Sequence, residues 1–236
     1  MRQVPAYLLI GNGRVSRHFQ HYFSLLNIPF LLWQRSNSTA DLQQKIARAT
    51  HILLLISDHA IEQFIADYLP QQNKIYLHFS GSLVSKHAFG VHPLMTFSEK
   101  LYSLAQYQTI PFVIDEHAPT FEELFPQLPN QHVRLPIALK TKYHALCALS
   151  GNFTCLLWQK LFTDFAIEMN LPPAIAHPYL LQQMQNLIEQ PEAALTGPLA
   201  RNDWQTIEKH LNVLQNDPFR DVYQSFVTYY QQLKRG

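Results

Sequence analysis

The sequence predicts an α/β protein: a Rossmann-type, mostly parallel sheet domain over 1–135, followed by an all-α C-terminal domain over 136–236. Three observations carry this. Short apolar runs alternate with segments of helical periodicity in the first half, as strands do when crossover helices join them into a parallel sheet. The first run ends at Gly11-Asn12-Gly13 and opens directly into a helical pattern. After 135 the strand-like runs stop and long helical segments take over.

In order along the chain, Ala6 to Ile10 reads as the first strand, and Arg14 to Leu26 carries Val15, Phe19, Phe23 and Leu26 at helical spacing. Phe30 to Gln34 is the second strand, Ser38 with Asp41 marks a helix start, and His51 to Ile56 is a third, continuous apolar run. Asp58 can cap a helix through Tyr68, and Lys74 to Phe79 reads as the fourth strand. Ser80-Gly81-Ser82 and Gly90-Val91-His92-Pro93-Leu94 then read as loop, before a further strand at Pro111 to Asp115. Prolines 119, 126, 129 and 136 punctuate a stretch with one helix, Thr120 to Leu124, and a short strand, Val133 to Leu135. Beyond it come helices at Ile137 to Met169, Ala174 to Glu189, Asp203 to Leu214 and Phe219 to Leu233.

Composition narrows the function classes. Apolar residues make up 47% and charged residues 15%, which suits a well-packed globular chain. With 18 basic and 17 acidic residues and no basic stripe, nucleic acid is not an expected partner. No apolar run reaches the roughly 18 residues of a membrane helix, and none has the form of a signal sequence. Cys147 and Cys155 are eight apart on one predicted helix, too far to bridge. A cytoplasmic location is the expectation. Of the 12 histidines, His18 and His21 share a helix, but no HExxH or Cys/His cluster accompanies them, so no metal is expected.

A dinucleotide diphosphate needs a turn without side chains, followed by a helix N-terminus whose N–H groups point at it. Gly11, Asn12, Gly13, Arg14 and Val15 fit that need, with Ser16 where a third glycine would complete GxGxxG. After the second strand, units that bind NAD place an Asp or Glu for the ribose hydroxyls. This chain has Gln34, Arg35, Ser36, Asn37 and Ser38 instead. Arg35 can pair with a 2'-phosphate and Ser36 can donate to it, which favours NADP(H). The alternative is that Arg35 is a solvated loop residue. Ser57, Asp58 and Ser80 follow the third and fourth strands and are expected to border the nicotinamide half of the cofactor.

Several segments together resemble the superfamily of 6-phosphogluconate dehydrogenase, ketopantoate reductase, pyrroline-5-carboxylate reductase and the deazaflavin-dependent NADP oxidoreductases. Within it the chain is most similar to Rossmann-like proteins with a C-terminal helical domain of unknown function. The segments are 11–15, His78-Phe79-Ser80-Gly81, His92-Pro93-Leu94, 140–145, Asn152, and 194–203 with its Thr-Gly-Pro and the following Arg201 and Asp203. Ser16 and Asn202 depart from the pattern, since the family commonly carries glycine at both positions. The resemblance implies a helical domain that often dimerises and an active cleft between the domains.

Lys140 and His144 are one turn apart, and with Asn152 at i+12 they are expected on one face of a continuous helix. The resemblance implies that this face lines the cleft, with His144 as proton donor and Lys140 polarising the substrate oxygen. His92 is a second acid/base candidate. Arg201, near Thr196, could hold a substrate carboxylate; alternatively Arg201 pairs with Asp203, and Asp203 caps the next helix. The leading reading is an NADP(H)-dependent oxidoreductase for a small carbonyl, imine or hydroxy acid, acting as a homodimer. The rival is a non-catalytic NADP(H)-binding sensor or assembly protein that dimerises through its helical domain.

Overall fold

A computed structural model describes residues 5–69 and 73–235. Seven strands form one sheet: β1 (Tyr7–Ile10), β2 (Phe30–Trp33), β3 (His51–Leu54), β4 (Ile75–His78), β5 (Phe89–Pro93), β6 (Phe112–Asp115) and β7 (His132–Leu135). Their order is β2-β1-β3-β4-β5-β6-β7, and every pairing is parallel except β5 with β6. The expected Rossmann-type, mostly parallel sheet is therefore present. The chain runs from β1 to β2 on one side and returns to β3 on the other, so its direction of winding reverses between β1 and β3. In doubly wound sheets, that is the crevice where ligands collect.

Burial explains the strands. Tyr7 and Leu9 enter one core layer with Phe19, Tyr22 and Phe23 of α1 (Arg14–Leu25), while Leu8 and Ile10 enter the opposite layer with Leu42 and Ile46 of α2 (Thr39–Arg48). A strand buried on both faces favours apolar side chains along its length, which is why β1, and β3 after its buried His51, read as continuous runs. Ser38 caps α2 by accepting from the Asp41 N–H, as the sequence suggested. α3 (Asp58–Tyr68) has Ser57 rather than Asp58 at its cap position, which leaves the Asp58 carboxylate for another partner.

Three features depart from expectation. The segment read as loop around His92 is strand β5, joining the parallel half of the sheet to β6. Gly90 and Pro93 hide it, because both are normally depleted from strands. A short helix, α4 (Leu104–Gln108), is held by a Ser103/Gln106 capping box, beyond which α5 (Phe121–Leu124) uses Thr120 and Glu123 in the same way. The expected single helix from 137 to 169 is broken into a 3₁₀ turn (Ile137–Leu139), α6 (Lys140–Cys147), a π-helical segment (Ala148–Phe153) and α7 (Thr154–Ile167).

The chain forms two compact units that divide at Leu156/Leu157, inside α7. The second unit holds the rest of α7, a 3₁₀ turn at Pro173–Ala176, α8 (His177–Glu189), α9 (Gly197–Ala200), α10 (Trp204–Val213) and α11 (Phe219–Leu233). It is helical throughout its described residues, as expected. Lys160 ties α7 to the start of α11 through Asp217 at 2.5 Å, and also pairs with Asp164 at 2.6 Å. No helix of the described residues is long and apolar enough to cross a membrane.

Candidate active site

A cavity of about 810 Å³ opens at the carboxyl ends of the parallel strands, lined by the β1–α1 turn, the end of β2, the β3–α3 turn and Ser80 after β4. All ten residues that the sequence assigned to a cofactor line it: Gly11, Asn12, Gly13, Arg14, Val15, Arg35, Ser36, Ser57, Asp58 and Ser80. Sequence reasoning missed its aromatic side, where Trp33, Phe64 and Tyr68 form a chain of ring contacts with centroids 5.7 and 5.0 Å apart. Those residues look like ordinary core positions until β2 and α3 are set side by side.

The two glycines of the turn have different reasons to be glycine. Gly11 has φ +115°, and a Cβ there would strike the carbonyl of Leu55 in the neighbouring β3–α3 turn, so packing and backbone both demand it. Gly13 has φ −74° and ψ −176°, and a Cβ there would meet nothing. Its missing side chain serves no need of the protein's own packing. It opens space directly before the first turn of α1, whose N-terminus has no side-chain cap. Ser16 is fully buried and donates to the Gly11 carbonyl at 2.7 Å, so the hydroxyl standing at the third glycine position ties the turn down.

Arg35 is exposed at the cavity edge, with no ion pair among the described residues. Arg14 is already engaged: its guanidinium donates to Glu99 at 3.0 Å, and Arg17 shares the same carboxylate. Ser80 Oγ donates to Asp58 at 2.5 Å and accepts from the Leu83 N–H at 3.0 Å, which pins the turn after β4 to the start of α3.

Beside Ser80 lies a cluster of ionisable groups, all in the first unit. Lys140, only 3% exposed, pairs with Asp115 at 2.6 Å, and Asp115 also accepts from the Gly90 N–H at 2.6 Å. A Cβ on Gly90 would run into both charged groups. The ammonium expected to polarise a substrate oxygen is thus held in a buried ion pair at the end of β6. His144 packs on Gly81, in the turn after β4, so close that a Cβ there would overlap its ring. His92 meets His144 edge-on, with centroids 5.9 Å apart, and its Nδ1 lies 2.8 Å from the Tyr143 hydroxyl. His78, at the end of β4, is fully buried beside the same ion pair.

The physical setting sets the charge of these rings. Burial, reinforced by the Lys140 charge, pushes His78 down to about 4. Burial and the nearby His144 and Lys140 push His92 down to about 4 as well. Burial raises the Tyr143 hydroxyl above its ordinary value. At neutral pH the two histidines are neutral and Tyr143 keeps its proton.

Asn152 does not join this cluster as one stripe. At 3.6 residues per turn, i+12 is already turned about 120° from Lys140, a π-helical segment lies between them, and Asn152 is exposed. Thr196 and Arg201 are exposed in the second unit, where Asp203 caps α10 by accepting from the Thr206 N–H at 3.1 Å. His18 is a core residue whose ring nitrogens lie 2.9 Å from the Ser98 carbonyl and 2.8 Å from the Tyr107 hydroxyl.

A family model described as a domain of unknown function, DUF2520, matches residues 110–230, which is 121 of the 236. No curated protein matches the sequence. Among solved structures, a candidate NADP oxidoreductase from Bacteroides fragilis is 19% identical, with TM-score 0.75 over 97% of this chain and 98% of that one. A protein from Thermotoga maritima is 20% identical, with TM-score 0.71 over 96% of this chain and 97% of that one. A reductive aminase from Aspergillus terreus, solved with NADPH and ethyl levulinate, is 15% identical, with TM-score 0.64 over 99% of this chain and 94% of that one. At these identities the likeness is one of fold.

Proposed function

Because the chain belongs to the family described as DUF2520, a domain of unknown function, its activity has to be argued from its own residues, and we propose an NADP(H)-dependent oxidoreductase. Its substrate on this reading is a small carbonyl, imine or hydroxy acid. The observation that carries the proposal is the open space in front of Gly13 at an uncapped helix N-terminus, in a cavity that also presents Arg35, which makes no ion pair among the described residues. The residues fit the cofactor: backbone N–H groups of the first turn for the diphosphate, and Arg35 with Ser36 for a 2'-phosphate. The Bacteroides and Aspergillus likenesses support the same reading, one being described as an NADP oxidoreductase and the other as solved with NADPH.

When bound, the cofactor supplies or accepts a hydride at the substrate carbon. In the reducing direction the π pair of the C=O or C=N bond then needs a proton on oxygen or nitrogen. His144, packed on the turn after β4, is the proposed donor, and solvent reprotonates it. His92 is the proposed hydrogen-bonding partner of the same atom. Lys140 has a proposed supporting role through Asp115, and Asn152 and Thr196 are left as proposed polar contacts. Arg201, whose guanidinium makes no ion pair among the described residues, is the proposed holder of a substrate carboxylate. Exposed Leu146, Leu149, Phe153 and Leu156, spaced along α6 and the segments after it, favour the homodimer.

The buried Lys140–Asp115 pair favours the second reading, a non-catalytic NADP(H) sensor, because it removes one free catalytic ammonium. NADPH consumption with cyclohexanone and allylamine, a pair found with the Aspergillus reductive aminase, separates the two. The oxidoreductase reading expects turnover that His144→Ala lowers about a hundredfold, with NADPH affinity unchanged. Tight NADPH binding without consumption of any carbonyl, imine or hydroxy-acid probe would favour the sensor.

A further inference from the structure

We propose that Tyr143 is a positioning residue whose hydroxyl donates to Nδ1 of His92 and holds that imidazole in the tautomer with its proton on Nε2, so that a neutral N–H is offered as hydrogen-bond donor to the substrate oxygen or nitrogen. This rests on the oxidoreductase reading for its last step only; the tautomer itself is a property of the free protein.

The geometry is specific. Tyr143 is on α6 and His92 on β5, 51 residues apart in sequence, yet the hydroxyl oxygen and Nδ1 are 2.8 Å apart. The rings meet at 80° with 5.6 Å between centroids, which aims the hydroxyl at the edge of the imidazole. A phenol O–H is the stronger acid and an unprotonated imidazole nitrogen the stronger base, so the shared proton stays on the phenol and Nδ1 accepts. Cys147, the other polar neighbour of Tyr143, does not compete, because a thiol accepts only weakly.

A neutral imidazole has one N–H. If Nδ1 accepts, Nε2 must carry it. Nε2 faces the Gly81 turn, 3.1 Å from where a Cβ would stand, so glycine there gives the ring edge room. That turn follows Ser80, which lines the large cavity. The charged and titratable groups acting on His92 are His144, Lys140 and Asp58. Burial with His144 and Lys140 opposes an imidazolium, so His92 works by donating a hydrogen bond and not by releasing a proton. His144, one residue along from Tyr143, is left for proton transfer. The two histidines thereby take separate tasks on one turn.

The test is nitrogen NMR on protein labelled with ¹⁵N-histidine, at neutral pH, with His92 assigned from the signals lost in His92→Gln. The expected spectrum shows Nε2 protonated and Nδ1 unprotonated, and Tyr143→Phe spreads His92 over both tautomers. A native His92 protonated on Nδ1, or a Tyr143→Phe ring that stays wholly in the Nε2–H form, overturns the assignment. If Tyr143→Phe does not fold, the native tautomer alone decides. In the cyclohexanone and allylamine assay, Tyr143→Phe should lower kcat about tenfold or more with NADPH affinity unchanged. His92→Gln, whose amide N–H can stand in for Nε2–H, should keep more turnover than His92→Ala; equal loss in both overturns the donor role. If no form consumes NADPH while the tautomer is as expected, the oxidoreductase reading fails and the Tyr143 assignment stands.

Discussion

The ammonium of Lys140 and the carboxylate of Asp115 sit 2.6 Å apart over Gly90, sealed from solvent between β5, β6 and the start of α6. A buried pair like this is costly to break from one side, because the remaining charge has no water to turn to. Lys140→Met alone should destabilise the protein by about 3 to 5 kcal/mol. Lys140→Met with Asp115→Leu should recover a large part of that loss, although the Gly90 N–H then loses its acceptor. Urea midpoints of the three proteins measure it. A single variant as stable as the parent would show that the pair is not structural.

Gly11 and Gly13 are two residues apart in the same turn, but alanine should affect them oppositely. At Gly11 the left-handed backbone and the Leu55 carbonyl both resist a Cβ, so Gly11→Ala should cost more than about 1 kcal/mol of stability. Gly13→Ala meets no atom and needs no unusual φ, so stability should hold while NADPH affinity falls at least tenfold. Calorimetry and fluorescence titration on the pair would separate packing from ligand space. Unchanged NADPH affinity in Gly13→Ala counts against the diphosphate site.

Much of this arrangement could be read from the sequence where local chemistry dictates it. β1 and β3 are buried on both faces and so are apolar throughout apart from His51 at the start of β3; the Gly11–Gly13 turn, the Ser38 cap and the carboxylate-free end of β2 are all local signals. β5 was illegible because its own residues, Gly90 and Pro93, are strand-poor, and the reason for Gly90 lies 25 and 50 residues away in Asp115 and Lys140. The π-helical segment was illegible because Ala148 to Phe153 keeps an ordinary helical pattern while the backbone widens. His92 and His144 were recognised one by one, but their partner Tyr143 emerges only when β5 and α6 come together.

On the proposed reading, Arg35 carries the cofactor choice. It stands at the cavity edge without an ion pair among the described residues, whereas Arg14 is already shared with Glu99. NADPH should bind at least tenfold tighter than NADH, a gap of about 1.4 kcal/mol. Arg35→Ala should remove most of that gap by weakening NADPH and leaving NADH nearly untouched. Equal affinities for the two cofactors in the parent protein, by fluorescence titration, would refute the assignment.

The neutral histidines make stability depend on pH below neutrality. In the unfolded chain a histidine binds its proton near pH 6.5. In the folded protein burial holds His78 and His92 down to about 4. Between those values the unfolded state carries protons that the folded state refuses, so stability falls as pH drops from about 6.5 towards 4 and is fully present above it. Between pH 7.5 and 5 each ring should account for a loss of about 2 kcal/mol. Most carboxylates titrate lower, so this window isolates the histidines. Burial also holds His51 below its ordinary value, so it adds to the same loss, and His92→Gln should remove one ring's share of the loss between pH 7.5 and 5, about 2 kcal/mol. Chemical unfolding at several pH values in that range measures the slope, and a slope identical in parent and variant would mean that the folded protein protonates His92 as readily as water does.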